Sequence, residues 1–190
     1  MKNLGLARNL LVALTGLLTT TTATAIAQGT IQMTGPTSLS ETYDAWTVQC
    51  ATRQLGEKSQ RVCQMSQEQL QQGTRQRVLT FAIGKTAAGT TATLILPFGL
   101  LLSEGVRVQV AEDEVLRGTY RTCLPAGCVA EVDLSEEVIE KLEAGETATV
   151  SMTASSGQQV NTAVSLKGFR SAYRRLAELA GGAGIEGGDG

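Results

Sequence analysis

Four cysteines are the side chains in this 190-residue chain whose type and spacing most readily suggest chemistry. Twelve residues separate Cys50 from Cys63, and four separate Cys123 from Cys128. A zinc site brings its ligands in pairs about two to four residues apart, and only the second pair approaches that spacing. A redox-active pair needs an exposed, acidified thiolate, usually in a CxxC at a helix N-terminus, and Cys123-Leu-Pro-Ala-Gly-Cys128 lacks that setting. Two structural disulfides remain, each joining a cysteine to its sequence neighbour across a hairpin or loop, out of the three pairings that four cysteines allow. Pro125 presets its φ and Gly127 can take a positive one, so a tight reversal between Cys123 and Cys128 is easy. In the chain-entropy picture the shorter ring constrains the unfolded chain by about 2 kcal/mol and the longer by about 3 kcal/mol.

The remaining inventory points away from catalysis. There is no histidine, which removes the usual general base, the commonest neutral metal ligand and the Ser-His and Cys-His nucleophile pairs. No GxSxG elbow, glycine-rich phosphate loop or HExxH pattern occurs. The chain therefore reads as a non-enzyme with no cofactor and no metal. Of its 16 Lys and Arg, Lys2 and Arg8 precede the expected cleavage site described below, whereas all 18 Asp and Glu follow it. The remainder carries a net charge of about −4, which is wrong for general nucleic-acid binding.

The elements that must position the cysteines follow from composition and periodicity. Residues 1–27 read as a signal peptide: Lys2 and Arg8 before a short apolar run, Leu10–Leu18, then Ala25-Ile26-Ala27 as a small-x-small cleavage site. No stretch is long enough for a transmembrane span. Residues 28–42 read as a flexible N-terminal arm, 43–180 as one ordered domain and 181–190 as a glycine-rich flexible tail. Nine short runs read as strands, near 46–51, 61–65, 77–83, 91–96, 106–110, 115–122, 128–134, 147–153 and 160–166, which predicts an antiparallel β-sandwich. Val106, Val108 and Val110 alternate with Arg107 and Gln109, and the polar 111–114 turn would make a hairpin with Val115 and Leu116. Ser135, followed by Glu136 and Glu137, is an N-cap for one short internal helix that Gly145 ends. A C-terminal helix follows Gly168, with Phe169, Ala172, Tyr173 and Leu176 on one face and Arg170, Arg174 and Arg175 near the other; docking on the sandwich is its expected role, contact with anionic lipid the alternative. Pro97 and Gly99 break the apolar run Leu94–Leu102, so a strand should end at Leu96 and an apolar loop should follow. Leu96, Pro97, Phe98, Leu100 and Leu101 form the candidate contact patch.

Several segments together carry a family resemblance: YDAWTVQCA from Tyr43, CQMSQ from Cys63, LPFGLLLSEGVRVQV from Leu96, YRTCLPAGC from Tyr120 and SLKGF from Ser165. In this order they resemble the invasion-associated locus B (IalB) family of bacterial envelope proteins, over residues 43 to about 179. The resemblance implies an immunoglobulin-like β-sandwich, periplasmic or surface association, and a link to host-cell invasion through the family's namesake. Cys50, Cys63, Cys123 and Cys128 match the family's cysteines. Trp46 matches its tryptophan, which would lie buried beside the first disulfide. The resulting expectation is an exported protein, periplasmic or associated with the outer membrane or surface, that binds an envelope or host protein. The competing expectation is a small-ligand or chaperone-like module with an apolar groove over residues 94–102.

Overall fold

The computed structural model describes residues 38–55 and 58–182. The segment read as a signal peptide, residues 28–37 of the expected arm and residues 183–190 of the expected tail lie outside the described residues. In chain order the elements are β1 (Ser38–Tyr43), β2 (Trp46–Leu55), β3 (Lys58–Leu70), β4 (Arg77–Thr86), β5 (Gly89–Leu96), a 3-10 turn (Leu102–Glu104), β6 (Val106–Val110), β7 (Asp113–Gly118), β8 (Tyr120–Leu124), β9 (Gly127–Leu134), α1 (Glu136–Ala144), β10 (Thr147–Thr153), β11 (Gln159–Ser165) and α2 (Phe169–Gly182). The strands form two antiparallel sheets, one of seven strands in the order β1-β2-β3-β4-β5-β9-β8 and one of four in the order β11-β10-β6-β7. The chain is thus mainly β with two helices, as its sequence predicts.

Period-two alternation assigns the faces. Trp46, Val48 and Cys50 of β2 are buried while Gln49 and Ala51 are exposed. On β5, Ala92, Leu94 and Leu96 are buried while Thr91, Thr93 and Ile95 are only half-buried. Both sheets and α2 share one core: Val48, Leu79, Phe81 and Leu94 from the larger sheet, Val106, Val108 and Val150 from the smaller, and Phe169, Ala172 and Leu176 from the helix. α2 packs across β1, β2, β3 and β4. Its buried face is the one predicted, so docking rather than lipid contact accounts for its amphipathicity, and it continues through Gly181 and Gly182, where the sequence reading begins the tail. In α1 the Ser135 hydroxyl accepts from the Val138 N–H at 3.3 Å, Ile139 and Leu142 are buried, and the Gly145 N–H closes on the Lys141 carbonyl.

Two strands depart from expectation. All of β1 but Tyr43 falls inside the stretch read as an arm: Ser-Leu-Ser-Glu-Thr-Tyr is too polar to signal a strand alone, yet every residue of it finds a partner on β2. The run read as one strand over 115–122 is two, β7 in the smaller sheet and β8 in the larger, so the chain changes sheets at Thr119. The hairpin at 111–114 is also tighter than expected. Val110 pairs with Asp113 and Gln109 with Glu114, so Ala111, at φ 54°, and Glu112 form the turn alone.

Candidate functional site

Cys50 and Cys63 face each other across β2 and β3, and Cys123 and Cys128 across β8 and β9. Both pairs are closed as disulfides, with Cα separations of 4.0 and 3.9 Å. No cysteine is therefore left as a zinc ligand or free thiolate among the described residues. The second clip secures a hairpin whose return depends on Gly127. Its φ is 136°, and a Cβ there would stand 2.3 Å from the Leu96 carbonyl oxygen. Only glycine lets the hairpin lie this close to the end of β5. On the other side, the Arg77 guanidinium donates to the Ala126 carbonyl at 2.8 Å.

These contacts gather the end of β3, the start of β4, the end of β5 and the β8–β9 tip at one end of the sandwich. The loop after β5 joins them to the smaller sheet: the Leu101 N–H donates to Thr153 O and the Ser155 N–H to Gly99 O, both at 2.8 Å. This end carries Phe98 at 62% exposure, Leu124 at 51%, Leu102 at 47% and Leu70 at 46%, four of the six exposed large apolar side chains among the described residues. The sequence-derived patch is redrawn accordingly. Leu96 belongs to the core, because β5 alternation turns it inward beside Leu94; Pro97, Leu100 and Leu101 are half-buried; and Phe98 projects. Leu102 and Leu124 join it, the latter unforeseen because its neighbour in space lies far away in sequence. The apolar run 94–102 is divided, with Leu94 and Leu96 inside the core and Phe98 and Leu102 at the surface. A cleft of about 480 Å³ lies along β1–β3, lined by Ser38, Ser40, Gln49, Arg53, Val62 and Gln64 among others.

A second constellation explains two motifs that spacing alone left unexplained. The Gln67 carboxamide accepts from the Ser165 N–H at 3.1 Å and donates to the Ser165 carbonyl at 2.9 Å. Trp46 Nε1 donates to that same carbonyl at 3.0 Å. Gln67 thus does for β11 what the peptide group of a neighbouring strand would do, and ties the smaller sheet to β3. Gly168, at φ 82°, leaves no room for a Cβ, which would lie 2.1 Å from the Tyr43 carbonyl oxygen. The Trp46 ring is fully buried, edge-on to Phe81 at 5.8 Å and Phe169 at 5.1 Å. Its neighbours are therefore aromatic; Val48 stands between it and Cys50 along the inward face of β2.

Charge secures the edge strand β1. Arg175 on α2 donates two hydrogen bonds to Glu41, at 2.8 and 3.0 Å, and the Tyr43 hydroxyl donates a third at 2.9 Å. Arg175 first, then Tyr43, hold the Glu41 carboxyl below the usual carboxylate range, and the bond to Glu41 raises the Tyr43 pKa. Burial alone pushes Tyr120 up to about 12, and its buried hydroxyl has no hydrogen-bond partner among the described residues, so it serves as an apolar packing group. Among the described residues no cluster of three or more Cys, Asp or Glu side chains is arranged to hold a metal ion, and no helix is long and apolar enough to cross a membrane.

The comparisons with known proteins agree with this architecture. The family model described as invasion associated locus B (IalB) protein matches residues 46–177. A Brucella abortus protein named as an invasion protein B homolog is 37% identical, over 76% of this chain and 83% of the relative. Invasion protein B of Bartonella bacilliformis is 35% identical, over 76% and 78% respectively. The crystal structure of invasion associated protein B from Bartonella henselae superposes with a TM-score of 0.67 at 30% identity, covering 76% of this chain and 98% of that one. A family match across the Trp46 cluster, both disulfides, the Gln67 clamp and most of α2 places this chain in the invasion-associated locus B family.

Proposed function

We propose that this chain is an exported, non-enzymatic envelope protein that works by protein–protein contact, in the periplasm or at the cell surface, through the apolar end of its sandwich. The observation that carries the reading is the gathering of Phe98, Leu102, Leu124 and Leu70 at one end, on loops that a disulfide and backbone hydrogen bonds fix in place. Exposed apolar side chains grouped on preorganised loops favour binding, because little conformational entropy is lost when they dock. Two closed disulfides support an oxidising compartment. The names of the Brucella and Bartonella relatives support a part in host-cell invasion.

Surface biotinylation of intact beside lysed cells tests the location: label on intact cells supports a host-facing role, and label only after lysis supports a periplasmic one. Finding the protein only in the cytoplasm, with reduced cysteines, would contradict export. The cleft along β1–β3 supports a second reading, a small-ligand module. Saturable binding of an apolar fluorescent probe, abolished by Val62→Glu, would favour it over the loop end.

A further inference from the structure

The four sheet edges are not equally defended. Exposed edges invite pairing with other chains, and proteins blunt them with charge, proline or bulges. β1 carries Glu41, held by Arg175. β7 carries Asp113, Glu114 and Arg117. β8 carries Arg121, and its register shifts between Tyr120 and Thr122. β11, Gln-Val-Asn-Thr-Ala-Val-Ser, has no charge and no proline, and it pairs with β10 without a break from Thr147↔Ser165 to Thr153↔Gln159.

The backbone of β11 shows which of its groups face outward. The Leu166 N–H donates to Glu146 O, and the Gln158 carbonyl accepts from the Ala154 N–H, so the even-numbered positions face β10. Ser165 turns the other way, toward Gln67 and Trp46. By the alternation of an antiparallel ladder, Gln159, Asn161 and Ala163 also direct their N–H and C=O groups away from β10. All three residues are exposed, and Val160 between them is 39% exposed. The Gln67 carboxamide fills the rung at Ser165, and among the described residues no strand pairs with the three rungs beyond it.

We propose that β11 is a docking edge for a second copy of this chain, paired antiparallel to itself about Asn161, so that two four-stranded sheets join into one of eight. The occupant follows from the strand's own pattern. Centring on Asn161 sets Gln159 opposite the partner copy's Ala163, Asn161 opposite its equivalent, and Ala163 opposite Gln159. This register uses all three outward-facing residues, about six backbone hydrogen bonds in all, and stops short of Ser165, which Gln67 occupies. Because β11 carries no charge, self-pairing opposes no like charges across the twofold axis. The small Ala163 leaves room for the long Gln159, and Val160 gains the partner's Thr162 as a cover. The outward rungs of β11 and the apolar end use different side chains, so substitutions at Asn161 and at Phe98 test the two readings independently.

The test is sedimentation equilibrium of the purified, oxidised protein, together with cysteine cross-linking. A concentration-dependent monomer–dimer equilibrium is expected. Asn161→Lys, which sets two ammonium groups on the axis, should weaken it by at least about tenfold while leaving the circular dichroism spectrum unchanged. Asn161→Cys should form an intermolecular disulfide in the dimer, since facing residues of such a rung have Cα atoms about 5.5 Å apart. The exposed control Val62→Cys should not. A monomer up to millimolar concentration would overturn the proposal. So would a dimer in which Asn161→Cys fails to cross-link, or an Asn161→Cys product containing a foreign protein in place of a second copy.

Discussion

Replacing Gln67 with leucine would separate the two sheets' most specific connection from the rest of the core. Leucine keeps approximately the volume of the side chain but can neither accept from the Ser165 N–H nor donate to its carbonyl. The carbonyl keeps the Trp46 indole as its donor; the N–H keeps nothing. Two net hydrogen bonds at about 1 kcal/mol each, and a desolvated N–H left unpaired at a further 1–3 kcal/mol, give an expected loss of about 3–5 kcal/mol. Urea unfolding of the oxidised protein measures it directly. Trp46 is the single tryptophan and reports from within the clamp, and far-UV circular dichroism provides a second signal. The transition midpoint should fall with an unchanged slope. A loss below about 1 kcal/mol would refute the reasoning, because it would mean that water replaces the amide at no cost. Trp46→Phe should then compound the loss more than additively, since the two donors share one acceptor.

Other perturbations follow from the same geometry. Gly127→Ala sets a Cβ against the Leu96 carbonyl at a positive φ and should cost about 2 kcal/mol or more in urea unfolding; a neutral result would show that the hairpin can move. Replacing Cys50 and Cys63 together with alanine should cost about 3 kcal/mol and replacing Cys123 and Cys128 about 2 kcal/mol, the order set by ring length; calorimetry showing the reverse order would make local strain or packing dominant. Trp46→Ala, at a fully buried site among aromatic rings, should cost about 3–5 kcal/mol by circular dichroism. The Glu41–Arg175 clasp makes stability depend on pH. Because Glu41 titrates lower when folded than its ordinary 4.5, the clasp's contribution is complete above that value and is lost as the pH falls through the folded one. Glu41→Gln should therefore be less stable than wild type at neutral pH, with the gap closing in acid; a gap that does not change with pH would place the effect outside the ionised pair.

What the sequence made legible was what short range determines. Alternation along 106–110, the Ser135 cap and the amphipathic face of α2 are local patterns, and the structure contains all three. β1 was hidden because its strand character comes from its pairing with β2 and from Arg175, 134 residues away from Glu41. The change of sheet at Thr119 was hidden because a run of strand-forming residues does not specify which sheet takes each half. Gln67 stood in a recognisable motif, yet its role depends on Ser165, 98 residues along the chain. At the contact surface, the apolar composition of 96–102 was visible, but only the backbone decides that Leu96 turns in and Phe98 out.

The central claim, that the protein works through the apolar end of its sandwich, is tested most directly by site-specific photo-cross-linking in living cells. A photoreactive phenylalanine analogue would replace Phe98, Leu124 or, as the control on another part of the sheet, Val62. Phe98 and Leu124 should capture one and the same envelope or host protein, Val62 should not, and Leu102→Ser should diminish the capture. Equal capture from all three positions, or none from Phe98 and Leu124 in correctly oxidised protein, would contradict it.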